Sequence, residues 1–328
     1  MDIFKLEFAF KSYLTKILFP KLKIDLNSDI RILIPPTGVK TIVRLVEIPQ
    51  YKIKIAVRIS PQKSSKDIDK LLKTYEILEK NQVLIPRRID LFKDYSKSGV
   101  IFWAEEWIDG KVWDKGNYTD DMLLKLSEKV SMFHQITSDK WGDVSCLKER
   151  GFSSFQLRKV NHRLSSLKRI GKGFDRKELK IVWNWFKKWD GILKEAGQYE
   201  LIHDKMHSGN VVVDEKDKSI IFLDLATTHF SFKEQDLAMI FHELFDSREE
   251  HIDSFLGSYF SLLGIKRAKE DFEKRYPFFH AYYHLSRCSA NLRRDKKFEK
   301  IQNMNKTFRK KFEKNKDALF YVIKYENV

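Results

Sequence analysis

The hydrophobic pattern of the chain changes its period near residue 110, and this change constrains the fold more than any other feature. Residues 41–48 and 53–59 are short β-branched runs separated by a turn. After about residue 119 the apolar side chains recur at helical spacing, except in a hairpin-like pair at 211–213 and 220–225. The pattern predicts an α+β fold in which a small β-rich lobe precedes a larger helical lobe, with a hinge near 105–112.

Residues 1–28 are predicted to form an amphipathic extension ahead of the β-rich lobe. Between residues 2 and 19, bulky apolar side chains such as Phe8 and Phe10 alternate with lysines, which is typical of a basic amphipathic helix. Such a helix has two interpretations: it lies on a membrane surface, or it packs on the body of the protein. We favour the second interpretation.

Charge is the strongest compositional signal. The chain has 62 Lys and Arg against 46 Asp and Glu, a formal net charge of +16 at pH 7. A balance this basic predicts a polyanionic partner such as an anionic membrane surface, a phosphorylated substrate or nucleic acid. The alternative is a lysine-rich proteome with no specific partner. Nucleic-acid binding is ranked last because no recognition motif supports it.

The sequence predicts a cytoplasmic protein, or one that is peripheral at the inner face of the membrane. No apolar run approaches the roughly 20 residues that span a bilayer. Charged residues such as Lys5 and Glu7 interrupt the first twenty positions, which argues against a secretory signal. Cys146 and Cys288 are the only cysteines and lie far apart, which fits a reducing compartment.

The most informative stretch is 201–213, which reads LIHDKMHSGNVVV and is followed by FLDLA at 222–226. Asn210 and Asp224 are each carried next to a short strand of one predicted hairpin. An amide oxygen and a carboxylate oxygen are ligands that suit a hard cation such as Mg²⁺. A metal held there can bridge the phosphates of a nucleotide.

This stretch resembles the aminoglycoside-phosphotransferase and protein-kinase-like superfamily. The catalytic loop of that superfamily reads roughly H-G-D-L-H-x-G-N, and a metal strand and a D-L-A triplet follow it. The residues that match in order and spacing are His203, His207, Gly209, Asn210, Asp224 and Asp236. The resemblance implies ATP and Mg²⁺ as cofactors. It also implies a nucleotide-covering N-terminal lobe at 29–108 and a helical lobe at 109–328, which holds the catalytic loop and basic C-terminal helices.

The resemblance also assigns nucleotide-binding residues upstream. Arg58 stands where the superfamily has its phosphate-contacting basic residue, and Glu76 is the natural partner for it, with Thr74 or Leu72 left open by the register. The other implied nucleotide contacts are Gly38 and Lys40 in a covering turn, and Glu106, Trp107 and Ile108 in the linker that holds adenine through backbone groups. The histidines His203 and His207 are interpreted as hydrogen bonders that organise the loop, and Asp236 as its buttress.

The loop departs from the family pattern at the position of the catalytic aspartate, where this chain has Lys205. Asp204 lies one position early, and one residue in an irregular loop is enough to turn a side chain away. A protonated lysine is no proton acceptor, so we interpret Lys205 as a phosphate-contacting cation. Deprotonation of the acceptor then falls to Asp204 or to water.

The predicted function is ATP-dependent phosphorylation of a hydroxyl on an anionic glycan or glycolipid. The lipopolysaccharide-core kinases are the branch of the superfamily that suits the charge, whereas cationic aminoglycosides do not. The alternative is a catalytically impaired pseudokinase that binds nucleotide and acts through partners. Basic residues concentrate at 266–316, where they form either a solvated face or a docking surface for phosphate-bearing substrate or anionic lipid.

His280 and His284 lie four residues apart in a predicted helix, a spacing that also occurs in metal sites. No acidic residue completes a zinc signature around them. We therefore interpret both as packing residues of an aromatic-rich helix.

Overall fold

The chain folds into two compact units, described here from a computed structural model. The first comprises Met1–Val112 and Val212–Ala226, and the second comprises Trp113–Val211 and Thr227–Val328. The structure describes residues 3–35, 42–61, 65–94, 100–115, 118–195, 197–297 and 302–326. The first unit is rich in β-strands and the second in helices, which confirms the two-lobed α+β fold that the sequence predicts.

The first unit is built on a five-stranded sheet with the order β1-β2-β3-β5-β4. Its strands are β1 (Arg31–Leu33), β2 (Ile42–Ile48), β3 (Ile53–Pro61), β4 (Arg88–Asp94) and β5 (Val100–Glu106). All neighbours pair antiparallel, as expected for runs of β-branched residues joined by short turns. The register of β3 on β5 places Arg58 opposite Trp103 and Ala56 opposite Glu105.

The N-terminal segment is helical and covers this sheet. Helix α1 (Ile3–Tyr13) continues through a π-helical turn at Leu14–Leu18 into α2 (Phe19–Leu22). Its buried residues share one cluster with strand residues such as Val57 and Phe102, and the Tyr13 ring stacks on Phe102 with centroids 4.6 Å apart. These contacts support the favoured interpretation, in which the helix packs on the body of the protein and uses its apolar face inside the unit.

The rest of the first unit is one helix and a second, small sheet. Helix α3 (Ser65–Lys80) follows β3. Strands β6 (Gly110–Val112), β11 (Val211–Asp214) and β12 (Ile220–Phe222) form a three-stranded sheet with β11 in the middle. Strands β11 and β12 form the hairpin that the sequence predicts.

The second unit is mainly helical. Its helices are α4 (Asp120–His134), α5 (Phe152–Ile170), α6 (Arg176–Lys188), α7 (Asp190–Lys194), α8 (Glu234–Glu243), α9 (Glu249–Leu263), α10 (Ile265–Lys297) and α11 (Gln302–Tyr325). The local sequence sets several ends: Thr119 caps α4, and Asp175 with Glu178 forms a capping box at the start of α6. Among the described residues, no helix is both long enough and apolar enough to cross a membrane.

A five-stranded sheet of very short strands also lies in the second unit, and the sequence pattern did not predict it. Its strands are β7 (Thr137–Ser138), β8 (Trp141–Asp143), β9 (Cys146–Lys148), β10 (Tyr199–Ile202) and β13 (His229–Ser231), in the order β7-β10-β13-β8-β9. Strand β10 leads directly into the predicted catalytic loop, and β13 pairs with it antiparallel. The sheet therefore fixes where the loop begins.

Candidate active site

The loop after β10 is anchored by one buried carboxylate. Asp236, in the first turn of α8, accepts the backbone N–H of His203 at 2.7 Å and that of Asp204 at 2.8 Å. The imidazole of His134 lies 3.6 Å from the same carboxylate and is itself bonded to the Tyr259 hydroxyl at 2.6 Å. Asp236 thus buttresses the loop, as the sequence predicts.

Electrostatics keep Asp236 in its charged, hydrogen-bond-accepting form. Burial alone would raise the pKa of its carboxyl, but the imidazole of His134 and the N–H and ring of His203 outweigh that effect and hold the pKa below its ordinary value. A protonated acid would lose acceptor capacity at these two N–H groups. The position of the loop backbone therefore depends on this charge.

Asp204 has a left-handed backbone conformation. Its φ is +61°, in the left-handed region that glycine adopts freely and that aspartate tolerates better than most residues. The family pattern has glycine at this position, one before the catalytic aspartate. The carboxylate of Asp204 accepts a hydrogen bond from Gln235 Nε2, and its second oxygen lies 4.0 Å from Nδ1 of His229. It is therefore held by its own neighbours in the second unit.

The backbone N–H and the backbone carbonyl of Lys205 are both hydrogen-bonded within the loop. Its N–H donates to His203 Nδ1 at 3.2 Å. Its carbonyl accepts from the His207 N–H at 2.9 Å and from Asn210 Nδ2 at 3.0 Å. The imidazole of His203 thus organises the loop through a hydrogen bond, as predicted, whereas His207 contributes its backbone N–H and carbonyl. The half-buried Lys205 side chain consequently leaves the loop from a well-defined point.

Asn210 lies buried at the end of the short turn Ser208–Asn210. Because its NH₂ group is used by the Lys205 carbonyl, the oxygen Oδ1 is the atom that remains for a ligand. An amide oxygen held in this way is a donor that Mg²⁺ accepts. The residue thus fits the metal-ligand role that the family resemblance implies.

In the first unit, Arg58 is paired with Glu105 of β5. The Nε–Oε1 distance is 2.7 Å, and the Glu105 side chain is only 5% exposed. The other oxygen of Glu105 accepts from the Tyr75 hydroxyl at 2.7 Å and from Trp103 Nε1 at 2.9 Å. Three donors thus compensate the buried charge of Glu105, and the guanidinium is held at a fixed place on the sheet.

This pairing corrects the prediction that Glu76 is the partner of Arg58. Glu76 is exposed on α3, whereas the preceding residue, Tyr75, is buried and reaches Glu105. Neighbouring residues on a helix point about 100° apart, so both cannot face the sheet. The sequence could have indicated the position of Glu105. Alternate residues of a strand share a face, and Glu105 lies two residues after Trp103 in a predicted strand.

Asp224 follows β12 in the same unit, with φ +58°. Burial lowers the pKa of the Arg58 guanidinium, but the carboxylates of Glu105 and, more weakly, Asp224 outweigh burial and raise it above its ordinary value. Asp224 is therefore close enough to Arg58 for their charges to interact. A fixed cation and a carboxylate together suit the phosphates and the metal of a bound nucleotide.

The predicted adenine linker follows β5. The N–H of Trp107 donates to the Lys54 carbonyl at 3.1 Å, and that of Glu106 to the Arg87 carbonyl at 2.8 Å. Among the described residues, no backbone hydrogen bond involves Ile108, so its N–H and carbonyl remain open to a base. The predicted covering turn with Gly38 and Lys40 lies outside the described residues.

Comparison with known protein families gives a match over most of the chain. Residues 43–278 match the model of the phosphotransferase enzyme family (APH). The chain belongs to this family. A search of curated protein sequences finds no match.

Solved structures of similar fold include other phosphotransferases. Spectinomycin phosphotransferase, in complex with ADP and spectinomycin, has a TM-score of 0.61 at 15% identity over 94% of this chain and 98% of that one. An aminoglycoside phosphotransferase in complex with gentamicin gives 0.60 at 12% identity over 92% and 95%. Plasmodium vivax ethanolamine kinase gives 0.57 at 13% identity over 85% and 79%. At these identities the likeness establishes the kinase-like fold of this APH-family chain.

Proposed function

We propose that this APH-family protein transfers the γ-phosphate of ATP to a hydroxyl of an anionic glycan or glycolipid. Family membership supports phosphoryl transfer. The observation that carries the acceptor class is Lys205, which places a cation where the family pattern has its catalytic carboxylate. The lipopolysaccharide-core kinase branch is the part of the superfamily that this substitution and the net charge of +16 fit best.

The nucleotide roles follow from the residues already described. Arg58 contacts phosphate, and Glu105 holds its guanidinium in place. Asn210 and Asp224 offer an amide oxygen and a carboxylate oxygen for Mg²⁺, a donor set that this ion prefers. When bound, the metal supplies charge stabilisation for the phosphates. The linker around Ile108 offers backbone groups to the adenine.

Lys205 selects the acceptor by charge. A unit charge about 4 Å from an ammonium near a protein surface interacts with it by about 4 kcal/mol. The sign of that interaction is favourable for a phosphorylated or carboxylated sugar and unfavourable for a polycationic aminoglycoside. Lys205 thus acts as a cation that binds the acceptor or the transferring phosphate.

The proton of the acceptor hydroxyl leaves by way of water. A lysine ammonium is a donor only, and the carboxylate of Asp204 is engaged by Gln235 and lies near His229. General-base catalysis contributes typically about 10²–10⁴-fold, whereas phosphoryl transfer depends mainly on positioning and charge. A protein without the base is therefore a slow phosphotransferase and not necessarily an inert one.

The experiment is transfer of radiolabelled γ-phosphate from ATP to a panel of acceptors. The panel holds phosphorylated and unphosphorylated forms of one lipopolysaccharide-core oligosaccharide, together with aminoglycosides. We expect labelling of the phosphorylated glycan, strong weakening by salt as charges are screened, and loss in Asp224→Asn. Preferential labelling of an aminoglycoside would overturn the acceptor class.

The same experiment separates the pseudokinase alternative. If ATP binds but no glycan, lipid or protein acceptor is labelled, the chain acts as a nucleotide-binding module through partners. If the acceptor is lipid-linked, the protein also meets a membrane surface. Salt-sensitive co-sedimentation with anionic but not neutral vesicles would support that location.

A further inference from the structure

Three histidines of the second unit come together on two helices. His242 lies near the end of α8, and His280 and His284 lie about one turn apart on α10. One ligand nitrogen of each ring lies within 4.8 Å of those of the other two. The ring centroids of the three pairs are 4.5–5.0 Å apart. The cluster plays no part in the phosphotransfer site described above.

Each ring already uses its Nδ1 atom. Nδ1 of His284 lies 3.0 Å from Oδ1 of Asn315, and Nδ1 of His280 lies 3.3 Å from the carboxylate of Glu326. Both oxygens only accept hydrogen bonds, and Asn315 is oriented by its own NH₂ bond to the Lys311 carbonyl. Nδ1 of these two rings therefore carries the proton, and Nε2 keeps its lone pair. Metal-binding histidines are held in the same manner by oxygen partners.

The third ring is consistent with this pattern. Nδ1 of His242 lies 2.7 Å from the Ser247 hydroxyl, which can either donate or accept. When Ser247 accepts from Nδ1 of His242, Nε2 of that ring keeps its lone pair. A neutral imidazole with a free lone pair is the form that ligates a metal.

Residues of this cluster carry buried polar atoms that are unsatisfied. Within the part of the chain that the structure describes, Nε2 of His242 and Nε2 of His284 are buried and have no hydrogen-bond partner, and the same holds for Oε2 of Glu326. His284 is only 5% exposed. Leaving one buried polar atom unpaired costs about 1–3 kcal/mol. Two such nitrogens on neighbouring rings of one cluster indicate a missing ligand.

We propose that His242, His280 and His284 bind a Zn²⁺ ion through their Nε2 atoms, with a water molecule as the fourth ligand. Three imidazoles form a donor set that suits zinc and similar transition metals and does not suit Mg²⁺. A tetrahedral zinc ion with bonds of about 2.0–2.1 Å places its nitrogens roughly 3.4 Å apart. Small side-chain rotations bring nitrogens that lie within 4.8 Å to that spacing.

The ion is a cross-link between helices. It joins α8 to α10 directly, and its ligands also contact Asn315 within α11 and Glu326 directly after that helix. Because α8 begins at the turn that holds Asp236, the metal stabilises the helix from which the catalytic loop is anchored. This role is independent of whether the protein transfers phosphate.

The test uses the full chain without an affinity tag, after removal of metals with a chelator. Titration with Co²⁺, a spectroscopic substitute for zinc, should give the intense visible bands of a tetrahedral site and saturate at one ion per chain. Zinc affinity is then measured by competition with a chromophoric chelator. Because the exposed thiol of Cys146 also binds zinc, the titration is repeated in Cys146→Ser, where we expect the same result.

Variants separate the site from unspecific binding. His280→Gln should abolish the tetrahedral spectrum, and Asn315→Ala, which removes only the partner of His284, should weaken zinc binding about 10–100-fold. His162→Gln, at an exposed position on α5, is the matched control and should change nothing. A wild-type protein without tetrahedral Co²⁺ bands overturns the proposal whether or not the variants fold. Equal loss in His162→Gln and His280→Gln overturns it as well.

Discussion

The guanidinium of Arg58 donates to the carboxylate of Glu105 across two neighbouring strands, with Nε and Oε1 2.7 Å apart. The acid that holds Arg58, the cation that we propose contacts phosphate, thus lies on the sheet itself and not on helix α3. A partner on the same rigid sheet holds Arg58 in one position before any nucleotide arrives, and preorganisation of this kind reduces the entropy cost of binding.

The first prediction concerns this pair. Glu105→Gln leaves a largely buried guanidinium without its counter-charge, which should lower the free energy of unfolding by about 3 kcal/mol. Tyr75→Phe removes a single hydrogen bond to the same carboxylate and should cost about 1 kcal/mol. Urea denaturation measures both. Equal losses in the two variants would show that the charge of Glu105 is not what stabilises the cluster.

The second prediction concerns nucleotide binding. ATP with Mg²⁺ should raise the melting temperature of the wild-type protein, because a ligand that binds only the folded state stabilises it by mass action. Asp224→Asn should lose most of that shift, while the exposed Glu76→Gln should keep it. The absence of any shift at millimolar ATP would argue against a nucleotide site in this chain.

The third prediction concerns the loop. Lys205→Asp restores a proton acceptor at the family position, so phosphotransfer at saturating acceptor should rise by up to about 10²–10⁴-fold. Because the variant loses the cation that we propose binds the anionic acceptor, the KM for that acceptor should rise as well. Asp204→Asn should change the rate less than tenfold, because that carboxylate already binds Gln235. The measurement is the initial rate at saturating ATP over a range of acceptor concentrations. An active wild type that is silenced by Lys205→Asp even at saturating acceptor would show that the lysine is essential to the transfer step and that no lost base is being restored.

The fourth prediction concerns pH. Burial lowers the pKa of Lys129 on α4 to about 7, below the ordinary value that applies to the unfolded chain. Between pH 7 and about pH 10 the unfolded state then binds more protons, so stability should rise with pH by at most about 1.4 kcal/mol per unit.

The matched variants for this effect lie one turn apart on α4. Lys129→Met should be more stable than wild type at pH 6, and its advantage should shrink as the pH rises. Lys125→Met removes a lysine that pairs with Asp121 and should keep the pH dependence of the wild type. Denaturation with guanidinium chloride at several pH values in this range measures the free energy of unfolding of each variant. Parallel profiles for wild type and Lys129→Met would contradict the assignment.

Much of the β-rich unit is predictable from local pattern. The runs at 41–48 and 53–59 became β2 and β3 because β-branched residues favour extended pairing wherever a sheet offers partners. The short sheet of the second unit was missed because its strands have only two to four residues. An alternation of apolar and polar residues cannot be recognised in so short a run. Its stability comes from neighbours that are distant in sequence.

Some residues of the candidate site are predictable from the sequence, and others come together only in the folded protein. Ordered motif residues such as Asp236 were found because spacing along one segment carries the signal. The partner of Arg58 was misjudged because Glu105 lies 47 residues away along the chain and comes opposite only when β3 and β5 pair. His242 could not be grouped with His280 by spacing at all, because helices α8 and α10 meet only in the folded protein.

The helices that precede the first strand have a practical consequence. The region that matches the family begins at residue 43, yet Phe10, Tyr13 and Leu18 belong to the core that covers the sheet. A protein trimmed to the matched region would expose Phe102 and its neighbours as a broad apolar patch. Such a patch drives self-association, so a shortened version would be expected to aggregate before its chemistry could be assayed.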